Sequence, residues 1–394
     1  MRSSTRRTIL WALALVLALV VVGVAFVQGD DGGSADTAPP SPSPRVPEDV
    51  GDGCGEAAST DVADLSVARS LARCGPDAPA AAPLAAPATV RVALTERSEA
   101  AAPLLVASAL DEFAAEGLTV EIVDMDGKAA YQAMARGEVD AVVGGVDGPF
   151  FDAVESGSGA RLVLGGMVAR DPSDLERPQA GLWLRADLID ADDDEEWTHV
   201  EAQTVLVPGG LGSSAMYPIE TVLSQHEMGA NSVDVRPSSA TEAAASLEAA
   251  AVGGAWLTEP AATHAGSDES LRLVTTTPGS EAIDGTVFSP RLLGPDWAVG
   301  EAYARAVIRT INTHLFDGYD DEALTAVAEA LDVDEDAVAD GPDPLFDWEI
   351  RGGTTDRIQD SLTALGGVGY ERSLDESAVV DRSVVDGVVA AATR

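Results

Sequence analysis

The stretch Val205-Leu206-Val207-Pro208-Gly209-Gly210-Leu211-Gly212-Ser213-Ser214 starts as an apolar, β-branched run, breaks at proline and glycine, and ends on two serines. A helical pattern follows over residues 214–228, so the segment reads as strand, loop and helix. Such a loop leaves backbone N–H groups unpaired at the positive end of the helix. Glycines admit a close approach to the backbone, and Ser213 and Ser214 add hydroxyl donors. The arrangement suits a sulfonate, carboxylate or phosphate group. The same residues would also serve as a tight turn and helix cap with no ligand.

The pattern repeats outward along the chain. Short apolar runs fall at 90–94, 119–123, 140–144, 161–164, 180–184, 204–207, 233–236, 254–257, 271–275 and 286–289. Helical periodicity lies between them at 103–116, 128–136, 214–228 and 241–251, and again at 298–315, 322–331 and 354–365. Strands alternating with helices predict an α/β fold.

The chain of 394 residues carries 66 Asp+Glu against 24 Lys+Arg, a formal net charge of −42, and Lys128 is its only lysine. A field of that sign repels phosphate backbones, so no nucleic acid is expected as a partner. The acidic residues are scattered, as on a halophile-like acidic surface held in salt. Arg2, Arg6 and Arg7 precede an uncharged apolar run over 8–27. Positive charge before such a run places its N-terminus in the cytoplasm, and its length matches a hydrocarbon core of about 30 Å. Residues 1–29 thus predict a signal peptide or an uncleaved membrane anchor, and an extracytoplasmic body. No Ala-x-Ala site follows the run, which favours the anchor; Arg6-Arg7 also resembles a twin-arginine signal.

Residues 30–88 read as a Pro/Ala/Gly-rich linker, with one helix possible across 61–73. Cys54 and Cys74 are the only cysteines, and an oxidising exterior favours a disulfide between them. No histidine or further cysteine stands near them at metal-ligand spacing, so neither a metal nor a cofactor is expected.

Several phrases in order resemble the solute-binding proteins of the nitrate, sulfonate and taurine ABC-uptake group, whose relatives include binders of thiamine-precursor pyrimidines. They are Gly117-Leu118-Thr119-Val120-Glu121, Ala135-Arg136-Gly137-Glu138-Val139-Asp140 with Gly144-Gly145 beyond it, and Gly253-Gly254-Ala255-Trp256-Leu257-Thr258-Glu259-Pro260. Leu345-Phe346-Asp347-Trp348, Ile358-Gln359 and Val380-Asp381 echo the group's C-terminal pattern. Gly254 stands where the group has an acidic residue. The resemblance implies a two-lobe periplasmic-binding-protein fold of type II. Lobe 1 would take 89–181 and 277–394 and lobe 2 would take 182–276, with crossings near 181–185 and 276–289. It also implies a monomer that binds a small molecule, catalyses nothing, and works with an ABC permease and its ATPase.

In that frame the ligand-facing residues are Thr95 and Arg97 after the first strand, and Gly144, Gly145 and Asp147 at a strand end. Gly210, Gly212, Ser213 and Ser214 face them from the other lobe, with Trp256 and Glu259 beside them. The expected ligand is a small organic anion, with a pyrimidine or other aromatic heterocycle next. Asp147 sits awkwardly beside an anion. His199, His226, His264 and His314 are far apart in sequence, and no nucleophile elbow or phosphate loop is present. The alternatives are a membrane-anchored solute sensor or scaffold on the same fold, or a pyrimidine-precursor enzyme. Self-repulsion among the acidic residues yields one prediction. The thermal midpoint should rise steadily as NaCl is raised from about 0.1 M to about 2 M, as screening shortens the reach of each charge.

Overall fold

The computed structural model describes residues 43–170, 179–189 and 197–393. Its strands, in chain order, are β1 (Ala88–Leu94), β2 (Leu118–Asp124), β3 (Ala141–Gly145), β4 (Arg161–Gly165), β5 (Met167–Val168) and β6 (Gly181–Arg185). They continue as β7 (Thr204–Pro208), β8 (Asp234–Ser238), β9 (Gly254–Leu257), β10 (Leu271–Thr276), β11 (Asp284–Phe288) and β12 (Leu345–Phe346). Every expected strand is present. Only the two-residue pair β5 and β12 had no apolar run long enough to announce it.

These strands form two five-stranded sheets, ordered β2-β1-β3-β11-β4 and β10-β6-β9-β7-β8. β1 is parallel to both neighbours, and β7 is parallel to β8 and β9. Parallel neighbours need a crossover, which helices supply on each sheet. The fully buried Val90, Val92, Ala93 and Leu94 make β1 a centre strand. Pro237 lies in β8, an edge strand, where a missing N–H costs no ladder bond.

The chain crosses between the sheets twice. It leaves the first sheet after β4, by way of β5, and Gly181–Arg185, expected as a crossing, is instead an inner strand of the second sheet. It returns over residues 277–283, and β11 inserts antiparallel between β3 and β4. The expected helix at 103–116 is two, Ala102–Ala109 and Glu112–Ala115, because Asp111 turns the chain in the left-handed region at φ 61°.

The first lobe's core packs the long helix Trp297–His314 over the sheet, with Phe113 stacked on Tyr303 at 4.9 Å. A second core runs through both lobes. In it Ile358 and Leu362 of helix Thr354–Leu365 join Met216 and Ile219 of helix Met216–Gln225. The expected membrane segment lies outside the described residues, and among those described no helix is long and apolar enough to cross a membrane.

The largest departure from expectation is at residues 43–88, which are no linker once the described residues begin. Cys54 and Cys74 form a disulfide, and Leu71, Ala72, Arg73 and Cys74 are fully buried. No helix forms across 61–73; the segment is an extended strap tied down by side chains from the body. Asn312 accepts from the Cys74 amide at 2.9 Å and donates to the Ala78 carbonyl at 2.9 Å. Arg73 donates to the Phe316 carbonyl and lies over the rings of Phe316 and Trp348 at 5.8 and 5.7 Å. Burial lowers its guanidinium to about 10, still charged at neutral pH. Asp347 is buried between two arginines, at 2.8 Å from Arg69 on the strap and 2.8 Å from Arg351. Breaking such a buried cluster from one side leaves charge uncompensated. Asp347→Asn should therefore lower stability by about 3–5 kcal/mol, read as a fall in urea midpoint.

Candidate functional site

Parallel strands in open α/β sheets present ligands at their carboxyl ends, where loops pass into helices. Here those ends from both sheets converge on one cleft of about 490 Å³. β1 runs out into Thr95–Ser98, β3 into Gly144, Gly145 and Asp147, and β4 into Gly166 and Met167. β7 contributes Gly209 and Ser213–Ala215, β8 contributes Ser238, and β9 contributes Trp256 and Thr258. Asp284 enters at the head of β11.

Of the residues expected from sequence, Thr95, Arg97, Gly144, Gly145, Asp147, Ser213, Ser214 and Trp256 all line this cleft. Gly144 is there because its backbone, at φ 150°, leaves no room for a side chain. A Cβ would lie 1.7 Å from Thr95 Oγ1. Gly210 and Gly212 are not in the lining. Gly210 packs on Pro237 at φ 63°. Gly212 meets Gly148 and Gly367 where the lobes touch, and a Cβ on Gly148 would lie 2.2 Å from the Gly367 carbonyl oxygen. Glu259 lines a separate cavity of about 30 Å³ together with Glu99. Trp256 is 5 % exposed and belongs to the core as much as to the wall; Trp183 packs in the second lobe's own core.

The electrostatics of the lining bear directly on the anion reading. The Ser214 amide at the loop end already donates to Asp147 Oδ1 across the cleft at 2.7 Å. The position read as an anion site is thus filled by the protein's own carboxylate. Arg97, the one arginine in the lining among the described residues, pairs with Asp124 at 2.9 Å and also reaches the Ala330 carbonyl. Sequence reasoning missed three further carboxylates in the lining, of which Asp126 caps the helix Gly127–Ala135 by accepting from the Ala129 amide at 3.0 Å. Glu96 Oε1 accepts from Thr258 Oγ1 at 3.0 Å, a second bond between the lobes, and Asp284 Oδ1 accepts from the Met167 amide at 2.8 Å. In a chain with 66 acidic residues no single carboxylate stands out, so the signal was absent rather than misread.

Glu96, Asp147 and Asp284 lie close enough to influence one another. Burial raises the Glu96 and Asp147 carboxyls above their ordinary range, with Asp147 adding to the rise at Glu96. Burial, then Glu96 and Asp147, pushes Asp284 up to about 7. Near the cleft, burial and then Glu259 push Glu99 up to about 8, and burial raises Glu259 to about 7. Ser238 Oγ is buried without a hydrogen-bond partner on the opposite wall. It stands beside the first turn of helix Ala240–Glu248, where Ser239, Ala240 and Thr241 also line the cleft and Ser239 Oγ caps the Glu242 amide at 3.2 Å. The acids of the lining therefore sit on the first lobe, while the second lobe's wall carries hydroxyl groups of Ser213, Ser214, Ser238, Ser239, Thr241 and Thr258.

No family model and no curated protein matches the chain. Solved structures do. The alkanesulfonate-binding protein SsuA from Xanthomonas axonopodis pv. citri, bound to MOPS, is 15% identical with a TM-score of 0.57, over 75% of this chain and 99% of that one. The nitrate-binding protein NrtA from Synechocystis PCC 6803 is 14% identical with a TM-score of 0.58, over 77% and 89%. The aliphatic sulphonate-binding protein SsuA from Escherichia coli gives 12% and 0.54, over 75% and 93%. With the two sheets and two crossings described above, this establishes the two-lobe periplasmic-binding-protein fold of type II.

Asp284 supplies a pH test. Its folded-state carboxyl is raised above the ordinary 3.8, so the folded chain binds the extra proton between the two values. Stability must fall as pH rises through that window, and the loss is complete above about 7. Asp284→Asn should flatten the decline in thermal midpoint between pH 5 and about 8, measured without ligand at constant salt.

Proposed function

We propose that the protein is the extracytoplasmic solute-binding component of an ABC-type importer, and that its ligand is a small amine-bearing molecule. One observation carries the ligand class. Glu96, Asp147 and Asp284 line the cleft, and the only arginine in the lining among the described residues is already paired with Asp124. A plain anion would enter a site lined by these three carboxyls and, at its rim, by Asp126 as well. An ammonium group would be attracted by all of them, and its arrival would return Asp284 to its ionised form. The far end of the ligand faces Ser238 and the head of helix Ala240–Glu248, which suit an acceptor or an anionic group. A zwitterion of the taurine type satisfies both walls, whereas nitrate or a simple sulfonate satisfies one.

The role in uptake is supported by the fold and by the binding functions for which the similar structures are named. In it, the lobes close on the solute and the closed form docks on a permease coupled to an ATPase. The protein then acts by binding and release, and the carboxylates serve as ligands, not as acids or bases.

Thermal shift on the full chain, in high salt, distinguishes the ligand classes. A compound present at 100 times its dissociation constant adds about 2.7 kcal/mol to the folded state. Short primary amines, amino acids and taurine should include compounds that raise the midpoint, while nitrate and methanesulfonate should not. The double variant Glu96→Gln/Asp147→Asn should lose the response. A shift with nitrate or methanesulfonate that survives in the double variant would return the ligand to the Ser213–Ser214 loop as an anion.

A further inference from the structure

We infer that the disulfide-closed strap over residues 43–88 is a brace on the hinge, holding the two lobes in their closed arrangement. The strap lies on the body of the first lobe, yet several of its residues contact the crossing segments on which the lobes must turn. Arg69 Nε donates to the Ser280 carbonyl, within the second crossing, at 2.7 Å. Leu71 and Val46 form a small core with Val168, at the start of the first crossing, and with Ala282 in the second. A Cβ built on Gly279 would lie 3.2 Å from a methyl of Val67, 3.8 Å from Pro44 and 3.0 Å from the Ala169 carbonyl oxygen. Strap and both crossings therefore meet around one glycine.

The contacts are anchored at depth. The guanidinium that holds Ser280 also pairs with Asp347, and both side chains are 1% exposed. The disulfide between Cys54 and Cys74 closes the strap into a loop that contains Arg69. From the other side, Glu281 of the second crossing pairs with Arg357 and accepts from Thr354 and from Tyr217 Oη of the second lobe. Residues 279–282 are consequently gripped by the strap on one face and by the lobe junction on the other. A crossing held this way resists the backbone rotation that opens a two-lobe cleft.

The closed arrangement in which the strap sits is marked by the Ser214 amide bonded to Asp147 across the cleft. That amide reports opening by its hydrogen exchange, without any ligand, so the result is independent of the ligand class proposed above. Exchange of peptides covering Ser214 should be followed by mass spectrometry on the full chain, against peptides from β1 as a control for global unfolding. Arg69→Met, which removes the Ser280 bond together with the Asp347 pair, should speed Ser214 exchange about tenfold while β1 keeps its protection. Selective reduction of the disulfide in the wild-type chain should act in the same direction. If both treatments loosen the strap itself yet leave Ser214 exchange unchanged, the brace is refuted. It is equally refuted if Ser214 and β1 lose protection together, because the strap would then support only the fold.

Discussion

The carboxylate of Asp147, 2.7 Å from the Ser214 amide, sets what this cleft can be. Asp147 stands on the first lobe at the end of β3, and Ser214 stands on the second at the end of β7. Their bond holds the lobes together and fills the place where an anion would meet the loop. The Glu96–Thr258 bond repeats the arrangement on the far side of the site. Both bonds put negative charge into a confined space, and among the described residues no unpaired cation of the protein lines it. That raises the carboxyls and gives the lining a negative balance. The electrostatic character of the site and the closure of the fold thus come from the same contacts.

Elsewhere the chain's few positive charges serve structure. Arg309 and Arg305 clasp Glu112 and Glu116 and reach the Pro79 and Ala82 carbonyls, fixing the end of the strap. Arg69 and Arg351 share Asp347, and Arg357 holds Glu281 at the second crossing. Lysine is nearly absent from the sequence, and arginine suits these positions because its planar fork makes several directed bonds and is weakly hydrated. In a chain of net charge −42 these arginine contacts are where attraction outweighs the general repulsion.

The sequence carried the strands and the α/β class, because burial writes itself as β-branched runs between glycine-rich ends. It placed Thr95, Gly144, Asp147 and Ser213–Ser214 on one site because strand ends in such folds point the same way. The paired cysteines were readable from count and compartment. It did not show that 43–88 is packed. That segment's Pro, Ala and Gly content is what a linker has, and its anchors are single side chains meeting carbonyls more than two hundred residues away, as Arg73 meets Phe316. Nor did it distinguish Glu96 and Asp284 from the other acidic residues.

Local pattern, then, determined the secondary structure and the α/β class, since each follows from residues close in sequence, while the two-lobe arrangement and the neighbourhood of the site followed from the resemblance. Whether a donor is free depends on what lies across from it in space. Tertiary structure alone decided that Ser214 is bound to Asp147, that Arg97 is held by Asp124, and that Glu96, Asp126, Asp147 and Asp284 line the same cleft. The sign of the ligand's charge is a sum over groups that distant strands bring together, and no local stretch of the chain contains that sum.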